Sequence, residues 1–436
     1  MTKIKQTVSI FWFRRDLRFE DNRALFEATK SETHVLPLFI FDTDILSQLD
    51  DKNDRRVDFV YQALTDLQNK LLPLGRSLCI RTGKPLDIFK ILLEEYAVKA
   101  VYTNSDYEQS AIARDRAIEA FLKTNSIRFL SFKDQVIFEW NEVLKANGEP
   151  YTIFTPYSKV WKQKLSENDL LPYPSEDFLS TFIPSEHPFF PSLADIGFNK
   201  TDMVFSTPIL DKSIIANYEN THNIPAIEGT TRLSIHLRFG TISIRKVVAF
   251  ALETNEQWLN ELIWREFFMS ILAHFPQVET GAFRNKYEAI AWRNNEKEFE
   301  AWCEGRTGYP IVDAGMRQLN ETGWMHNRVR MIVASFLTKH LLIDWRWGEA
   351  YFANKLIDYE LSSNNGNWQW AAGCGCDAAP YFRVFNPTEQ TKRFDSELKY
   401  IRKWVKEFDT LAYPQPIVEH SFARNRALEA YKNGIN

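Results

Sequence analysis

The chain has 436 residues, too many for one ordinary hydrophobic core, so two domains are expected. Its 53 Lys and Arg residues against 57 Asp and Glu residues give a formal net charge of −4. This charge excludes a protein that is basic over its whole surface, so any contact with nucleic acid must come from a local patch. No run approaches the ~18 apolar residues of a membrane-spanning helix.

The first residues, MTKIKQTVSIFWFRRD, pass directly into a strand pattern and do not resemble a signal peptide. Of the four cysteines only Cys374 and Cys376 are close in sequence, and no second pair completes a zinc or iron–sulfur site. His326 and His340 lack ligand-like neighbours and are interpreted as core or surface histidines. The sequence therefore predicts reduced thiols, a cytoplasmic location and no bound metal.

Residues 1–132 alternate short strands with helices. The strand-like runs are VSIFWF (8–13), VLPLFIF (35–41), SLCIR (77–81), KAVYTN (99–104) and RFLSF (128–132). Helical patterns between them give the alternation that is typical of an α/β domain with a Rossmann-like, mostly parallel sheet. The first strand is followed by RRDLRFEDN and not by a GxGxxG turn, so a nicotinamide site is not expected.

Residues 133–210 are rich in Pro, Ser and aromatic residues without a clear period. This composition predicts a long connector on the surface, held by its aromatic side chains. From Ser213 onward the pattern is helical with few strand signals, so residues 211–436 are expected to form an all-α domain.

A candidate phosphate site lies in the segment EGTTRLSIHLRFG. The hydroxyls of Thr230, Thr231 and Ser234 and the guanidinium of Arg232 come just before or at the start of a predicted helix. Backbone N–H groups, hydroxyls and a guanidinium at a helix start are well suited to bind phosphate. Simple N-capping of the helix is the alternative explanation.

The segment WLNELIWREFFMSIL has a helical period. Glu261, Trp264, Arg265 and Phe268 fall at i, i+3, i+4 and i+7, on one face. A carboxylate one turn from a tryptophan suits a cavity where a flat ligand stacks on the indole. A structural helix with a solvated Glu261 is the alternative.

The stretch from Gly323 to Phe385 holds five tryptophans among polar residues of the kind found in buried sites. Each buried indole N–H needs a partner, so the cluster favours an aromatic cofactor held by polar contacts. It also supplies side chains able to pass an electron, whereas the alternative is a tryptophan-rich core. Asp358 and Arg330 are placed to pair in a low-dielectric site.

Within this stretch, IDYELSSNNGNWQW is expected to form a helix that carries its two acidic residues and ends at the Asn/Gly turn. Trp368 and Trp370 would then start a new segment. Upstream, WMHNRVRM places Asn327 and Met331 one helical turn apart.

Together these segments resemble the DNA photolyase/cryptochrome family, most closely its bacterial class I cyclobutane pyrimidine dimer photolyases. The resemblance runs from WFRRDLRFEDN (12–22) to YIRKWV (400–405). Its most specific stretches are EGTTRLS, WLNELIWREF, GRTGYPIVDAGMRQL, GWMHNRVRM and NNGNWQW followed by DAAPYFRVFNP. It implies FAD held in the helical domain. It also implies light-driven repair of cyclobutane dimers in UV-damaged DNA by an electron from excited, fully reduced FADH⁻.

The resemblance also implies which positions contact the flavin. These are Tyr218, Thr230, Thr231, Arg232, Leu233, Ser234, Trp258, Arg265, Asp358, Glu360 and Asn364. Asn364 matches the residue that faces flavin N5, where plant cryptochromes typically have Asp. Asn cannot donate a proton to N5 as a protonated Asp can, which favours the fully reduced anion. Glu360 stands where the family usually has Asp.

Other matched positions concern electron transfer and DNA. Trp292, Trp345 and Trp368 match the family's tryptophan chain from surface to flavin. The lesion pocket is matched by Glu261, Trp264, Asn327, Met331 and Trp370, whose two tryptophans would stack on a flipped dimer. Arg328 and Arg383 match contacts to DNA phosphates, and His222 replaces a family arginine.

A cryptochrome is the alternative within the family, either a blue-light signalling photoreceptor or a DASH-type protein, which DWRWGEAYF resembles. DASH members, however, usually have Tyr in place of Trp370. The antenna chromophore is left open between methenyltetrahydrofolate, a deazaflavin and none, and Glu108 matches a carboxylate used by folate-binding members. We expect a monomer that binds UV-damaged DNA and no membrane.

Overall fold

A computed structural model describes residues 5–185 and 189–435 of the chain. By their contacts the residues form two compact units, each assembled from three segments. Unit 1 comprises Met1–Glu139, Lys164–Ile209 and Leu233–Phe250, and unit 2 comprises Trp140–Gln163, Leu210–Arg232 and Ala251–Asn436. The units interleave along the chain, whereas the sequence suggested consecutive segments with boundaries at residues 132 and 210.

The described residues form five strands and a larger number of helices. In chain order the strands are β1 (Thr7–Phe13), β2 (His34–Asp42), β3 (Cys79–Gly83), β4 (Ala97–Asn104) and β5 (Arg128–Phe132). The α-helices are α1 (Arg23–Thr29), α2 (Thr43–Leu46), α3 (Arg55–Leu71), α4 (Pro85–Glu95), α5 (Gln109–Thr124), α6 (Phe154–Lys164), α7 (Lys212–Ala216), α8 (Tyr218–Thr221), α9 (Ser234–Phe239), α10 (Ile244–Thr254), α11 (Glu256–His274), α12 (Glu296–Cys303), α13 (Pro310–Thr322), α14 (Asn327–Ser335), α15 (Trp345–Lys355), α16 (Leu361–Ala372), α17 (Pro387–Phe394), α18 (Lys399–Trp404) and α19 (His420–Ile435).

Shorter helical elements lie between these helices. The 3₁₀ turns are Leu72–Leu74, Glu167–Leu170, Ser175–Thr181, Ala194–Ile196, Pro276–Glu279 and Asn285–Ala289, and a π-helix spans Phe336–His340. Among the described residues no helix combines the length and the apolar character that a membrane crossing needs.

Unit 1 contains a five-stranded parallel sheet in the order β3-β2-β1-β4-β5. Successive side chains of a strand point to opposite faces. Accordingly Phe11 and Phe13 of β1 join one hydrophobic cluster, whereas Ile10 and Trp12 join another. Both faces of the central strand are therefore buried, as expected for a sheet covered by helices on both sides. The predicted α/β fold of the N-terminal part is confirmed.

Unit 2 has helices and no strand among its described residues, so the all-α prediction is also confirmed. Its core cluster includes the buried tryptophans Trp302, Trp345 and Trp368. All four cysteines of the chain are unpaired. No group of three or more metal-ligating side chains occurs in the described part of the chain.

The expected break at the Asn/Gly turn is wrong, because α16 runs from Leu361 to Ala372 without interruption. Gly366 lies inside this helix where α16 meets α11, and an added Cβ would lie 2.2 Å from the Phe268 ring. The Asn365 side chain donates to the Val278 carbonyl at 2.9 Å. Close packing and buried hydrogen bonds from side-chain amides thus stabilise a helix whose residues have weak helical propensity.

Part of the expected connector is the helix α6, which packs on α11. Phe154, Tyr157 and Trp161 share one face of α6 because they are spaced three and four residues apart. Tyr157 lies 5.1 Å from Phe267, and the Trp161 indole N–H donates to the Glu266 carboxylate at 2.5 Å. The aromatic residues of this segment therefore anchor a helix, whereas the sequence suggested an irregular surface connector.

Candidate active site

Helix α11 carries the residues around which the candidate site is built. The Asn255 side chain caps its first turn by accepting the Trp258 N–H. Trp258 and Phe268 are buried, whereas Glu261 and Trp264 are half-buried. The predicted face of α11 thus exists, and it offers a carboxylate and an indole one turn apart at its border with solvent.

Glu261 lies among polar and charged groups. Gln257 donates to its carboxylate at 3.2 Å. Burial raises the pKa of Glu261, while the Gln257 hydrogen bond and the charges of His222 and Arg328 oppose that rise. Burial and, to a smaller extent, the Glu261 charge raise the pKa of Tyr218. Tyr218 and Glu261, which were predicted for different roles, therefore lie near each other.

His222, the residue that replaces a family arginine, has both ring nitrogens in hydrogen bonds. Nδ1 lies 2.7 Å from the Tyr218 carbonyl oxygen, and Nε2 lies 2.9 Å from the Asn223 amide nitrogen. The carbonyl can only accept, so in the neutral form of the imidazole Nδ1 carries the proton and Nε2 accepts from Asn223. The imidazole also stacks on the Tyr218 ring at 4.8 Å.

Two buried acidic residues next to α16 are each paired with an arginine. Arg265 of α11 donates to Glu360 at 3.1 Å, and Arg330 of α14 contacts Asp358 at 2.9 Å. Both carboxylates are almost fully buried, where an unpaired charge is strongly unfavourable. The predicted Asp358–Arg330 pair is present, and in each of the two pairs the opposite charges offset each other.

Glu349 of α15 is a functional candidate that the sequence did not reveal. The Asn364 amide nitrogen donates both to the Glu349 carbonyl, at 3.1 Å, and to its carboxylate, at 2.9 Å. Because both amide protons are used, the Asn364 Oδ1 is left as a hydrogen-bond acceptor. Burial raises the pKa of Glu349, and the bond from Asn364 partly offsets this.

The candidate phosphate segment has a mixed outcome. Ser234 begins the six-residue helix α9, so the predicted helix start is correct, and Leu233 precedes it as a buried residue. Thr230 and Thr231 are half-buried. The Arg232 guanidinium contacts Glu228 at 2.7 Å and lies 4.6 Å from the Trp324 ring centre. The Arg232 guanidinium therefore already has an acidic and an aromatic partner within the protein.

Two buried polar atoms suit a bound polar group. His326 Nδ1 accepts the Arg328 N–H at 3.2 Å, so its proton is on Nε2, which has no hydrogen-bond partner among the described residues. The buried Ser362 hydroxyl also has no hydrogen-bond partner among the described residues. Burial, followed by the charges of Arg330 and Arg328, lowers the pKa of His326 to about 4. A buried donor among cations fits an anionic group such as a diphosphate.

The proposed lesion and electron-transfer residues differ in exposure. On the lesion side Trp370 and Met331 are half-buried and Asn327 is exposed. Trp345 and Trp368 are buried, whereas Trp292 is half-buried. Gly348 makes room for Trp368, since an added Cβ would lie 2.2 Å from that indole. The exposures agree with a chain that begins near the surface and continues inward.

Basic side chains gather beside α14. Arg328 donates to the Asn223 side chain at 2.6 Å and lies 4.5 Å from the Phe394 ring centre. Burial, followed by the charges of Arg393 and Arg383, lowers the pKa of Arg328. The predicted Arg328 and Arg383 thus belong to one basic cluster, whose third member, Arg393, the sequence did not reveal.

Comparisons with known proteins identify the family of the chain. Residues 9–175 match the family model "DNA photolyase", and residues 258–412 match "FAD binding domain of DNA photolyase". The deoxyribodipyrimidine photo-lyase of Escherichia coli strain K12 is 39% identical over 98% of this chain and 98% of its own length. The chain belongs to the DNA photolyase family.

Solved structures of the family have the same fold. A class III photolyase from Agrobacterium tumefaciens superposes with a TM-score of 0.88 at 34% identity, covering 99% of this chain and 98% of its own. An archaeal photolyase from Sulfolobus tokodaii, solved with two FAD molecules, gives a TM-score of 0.83 at 34% identity and covers 98% and 99%. FAD is therefore the cofactor of the chain, held by the matched helical domain.

The identity of a second chromophore is open. The Sulfolobus tokodaii protein holds two FAD molecules, which imply a novel light-harvesting cofactor in that protein. In unit 1 of this chain, Glu108 accepts from Arg15 at 3.0 Å and from Arg238 at 3.3 Å. The carboxylate that matched folate-binding members is therefore ion-paired within unit 1, and its antenna role stays a prediction.

Proposed function

We propose that the chain binds DNA containing a cyclobutane pyrimidine dimer and splits the dimer in blue or near-UV light, as a carbon–carbon lyase. The observation that carries this proposal is the arrangement of α11. Trp264 and Glu261, matched to the lesion pocket, lie within one helical turn of Arg265, which is tied to Glu360 on the flavin side. One rigid helix would thus carry both the proposed substrate contacts and a proposed cofactor contact.

Residues of the C-terminal helical part of the chain are proposed to hold the cofactor. Arg265 with Glu360 and Arg330 with Asp358 form ion pairs that would line the flavin, and the Asn364 Oδ1 would be available to accept a hydrogen bond from it. The remaining proposed contacts are Tyr218, Thr230, Thr231, Arg232, Leu233, Ser234 and Trp258. Bound FAD in its fully reduced form supplies light absorption and the electron for repair.

Recognition of the lesion is assigned to five side chains of unit 2. Trp264 and Trp370 are proposed to stack on an extruded dimer, while Glu261 and Asn327 form hydrogen bonds to the thymine edges and Met331 packs beside them. The raised pKa of Glu261 supports a role as a hydrogen-bonding group near neutral bases. A base read this way must leave the duplex, which is easiest where pairing is already damaged.

The basic cluster is proposed to hold the DNA backbone. Arg383 and Arg393 are close enough to Arg328 for their charges to lower its pKa. Such a concentration of charge gives a local phosphate-binding patch on a chain with a net charge of −4.

Trp292, Trp345 and Trp368 are proposed to carry an electron inward to oxidised flavin.

A repair assay tests the function. The reduced holoprotein is incubated with an oligonucleotide duplex that contains one thymine cyclobutane dimer, in the dark and in blue light, and the remaining dimer is measured by chromatography. We expect loss of the dimer only in light and no loss of a (6-4) photoproduct in a matched duplex. Repair in the dark, or no repair in light, would contradict the proposal. A cryptochrome acting only as a photoreceptor predicts no repair, and a DASH-type protein predicts repair of single strands alone.

We further propose that the protein is a monomer in the cytoplasm. The four unpaired cysteines support a reducing compartment. Light scattering of the purified holoprotein tests the oligomeric state, with an expected mass near 51.1 kDa.

A further inference from the structure

The ring of Phe154 covers part of Trp264, the indole proposed to meet the lesion. The two ring centres are 3.7 Å apart and the planes differ by 5°. Phe268 also stacks on Trp264, at 5.5 Å and 29°. Trp264 is nevertheless only half-buried. Part of the indole is thus in contact with other rings, and the remainder is open to a ligand.

Phe154 is held firmly on both its backbone and its ring. It is the first residue of α6, and its N–H donates to the Asp377 carboxylate at 3.0 Å. Its ring also meets the edge of Phe267 at 5.9 Å. The rest of α6 is tied to α11 by the bond from Trp161 to Glu266. Phe154 is therefore a rigid partner for the indole, not a loosely placed side chain.

The anchor also connects the two proposed walls of the lesion pocket. Asp377 follows α16, the helix that carries Trp370, by a few residues. The Phe154–Asp377 hydrogen bond consequently links the segment after the Trp370 helix to the ring that lies on Trp264. A change at Phe154 can therefore alter the geometry of one wall without removing either tryptophan.

We propose that Phe154 is a positioning residue for dimer recognition, whose flat ring fixes the plane of the Trp264 indole before DNA binds. This inference rests on the proposed lesion contact of Trp264. An indole that is already held in its binding orientation loses less conformational freedom when a base stacks on it. An aliphatic side chain of similar volume fills the space but does not define a plane, so the aromatic character of residue 154 is the feature that matters.

Three variants of the holoprotein test the proposal. Phe154→Leu keeps an apolar side chain and removes the flat ring, Phe154→Tyr keeps the ring, and Thr155→Ala changes the exposed neighbour in the same helix. Dissociation constants are measured for intact and dimer-containing duplexes. We expect Phe154→Leu to lose about tenfold in affinity for the dimer, equivalent to about 1.4 kcal/mol and near the upper end for an aromatic pair. Its affinity for intact DNA should be unchanged.

Phe154→Tyr and Thr155→Ala are expected to retain the wild-type preference for the dimer. FAD absorbance and the unfolding midpoint are recorded for every variant, so that a loss of folding is recognised. In a Trp264→Ala background, Phe154→Leu should cause no further loss, because the residue acts through the indole. Near-ultraviolet circular dichroism should show the loss of ring coupling in Phe154→Leu but not in Phe154→Tyr or Thr155→Ala.

The outcomes separate this inference from the proposed function. If wild-type protein does not prefer dimer-containing DNA, the proposed function is wrong. If wild type prefers the dimer and Trp264→Ala loses that preference, but folded Phe154→Leu keeps it, only the positioning role is overturned. Tighter dimer binding by Phe154→Leu would also overturn it, since the ring would then occupy the place of a base rather than orient Trp264.

Discussion

At the scale of single residues, the hydrogen bonds of Asn364 determine which of its amide atoms can meet the flavin. Glu349 accepts both amide protons through its carbonyl and its carboxylate. A protonated carboxyl at position 364 could donate a proton to N5, whereas the fixed amide can only accept there. If Asn364 meets the flavin as proposed, Glu349 would contribute to the cofactor site by orienting that amide.

Glu349→Ala should reduce repair while FAD stays bound. The variant removes one of the two acceptors that fix the amide, and a hydrogen bond of this kind contributes about 0.5–1.5 kcal/mol, so a fall of up to roughly tenfold in repair per absorbed photon is expected. Glu349→Gln is the matched control, because its side-chain oxygen can still accept. Equal repair by wild type and Glu349→Ala at full FAD occupancy would show that the Asn364 orientation is set elsewhere.

Trp368→Phe should separate the supply of electrons from the repair reaction. Trp368 is buried and has been assigned to the step next to the flavin, and phenylalanine keeps most of its packing but cannot pass an electron at a comparable rate. We expect FAD to stay bound, photoreduction of oxidised flavin to be lost, and repair by chemically reduced enzyme to continue. Photoreduction is followed by absorbance under blue light. A wild-type rate in the variant would exclude this route.

At the scale of helices and strands, the buried Lys339 lies in the π-helix between α14 and α15. The residue is 1% exposed, and its amine donates to the Ala372 carbonyl at 2.9 Å and lies 3.6 Å from the Tyr431 ring centre. Burial lowers the pKa of Lys339 to about 7, and the nearby Cys374 slightly opposes this. Since the π-helix adds one residue to a helical turn, it can place such a group within the core.

The pH dependence of stability should reveal this lysine. Between a folded pKa of about 7 and an unfolded value of about 10.4, the unfolded chain binds more protons, so Lys339 makes stability rise with pH over this range. Lys339→Met should therefore be more stable than wild type near pH 7, with a difference that shrinks towards pH 10. Urea unfolding of the holoprotein at several pH values measures it, and Lys432→Met, at an exposed position, is the control. A difference in stability that does not change with pH would mean that Lys339 stays charged in the folded protein, stabilised by the Ala372 carbonyl and the Tyr431 ring.

The sequence predicted those elements whose pattern is local. All five strands lie within a few residues of their expected positions, because each is a short β-branched or aromatic run. Helix α6 was missed because Pro156 and the neighbouring Thr and Ser residues obscure its period, although proline is tolerated in a first turn. The continuity of α16 depends on its packing against Phe268, which no local pattern contains.

The residues of the candidate site could likewise be predicted from sequence only where residue type or a local pattern indicates them. The acid–arginine pair of Asp358 and Arg330 followed from residue types that are rarely buried without partners. Glu349, Arg393 and Phe154 were not found, since each acts on a side chain that is distant in sequence. The contacts from Phe154 to Trp264 and Asp377 span more than a hundred residues each, so only the folded chain reveals them.

At the scale of the whole molecule, binding to DNA has to overcome an overall negative charge. The chain carries a formal charge of −4, so under the proposed assignment attraction to phosphates would depend on the small cluster of Arg328, Arg383 and Arg393. Each phosphate contact releases condensed counterions and steepens the dependence of affinity on salt. A cluster of three arginines gives a modest slope and leaves discrimination to contacts with the lesion.

Arg383→Ala should weaken binding to damaged and intact duplexes by similar factors. One lost phosphate contact should lower the magnitude of the slope of log affinity against log salt by roughly 0.9. Titrations of both duplexes at several salt concentrations measure the effect, with Arg424→Ala, an exposed arginine in α19, as the control. If Arg383→Ala weakened only the damaged duplex, the side chain would contact the lesion and not the backbone.

During translation, α6 leaves the ribosome long before the helix on which it packs. Roughly a hundred residues separate α6 from the end of α11, which at about 5–20 residues per second takes roughly 5 to 20 s to synthesise. Throughout this interval Phe154, Tyr157 and Trp161 have no α11 to cover them. The nascent chain therefore presents an aromatic segment that chaperones can bind, and slower elongation between the two helices should increase its aggregation.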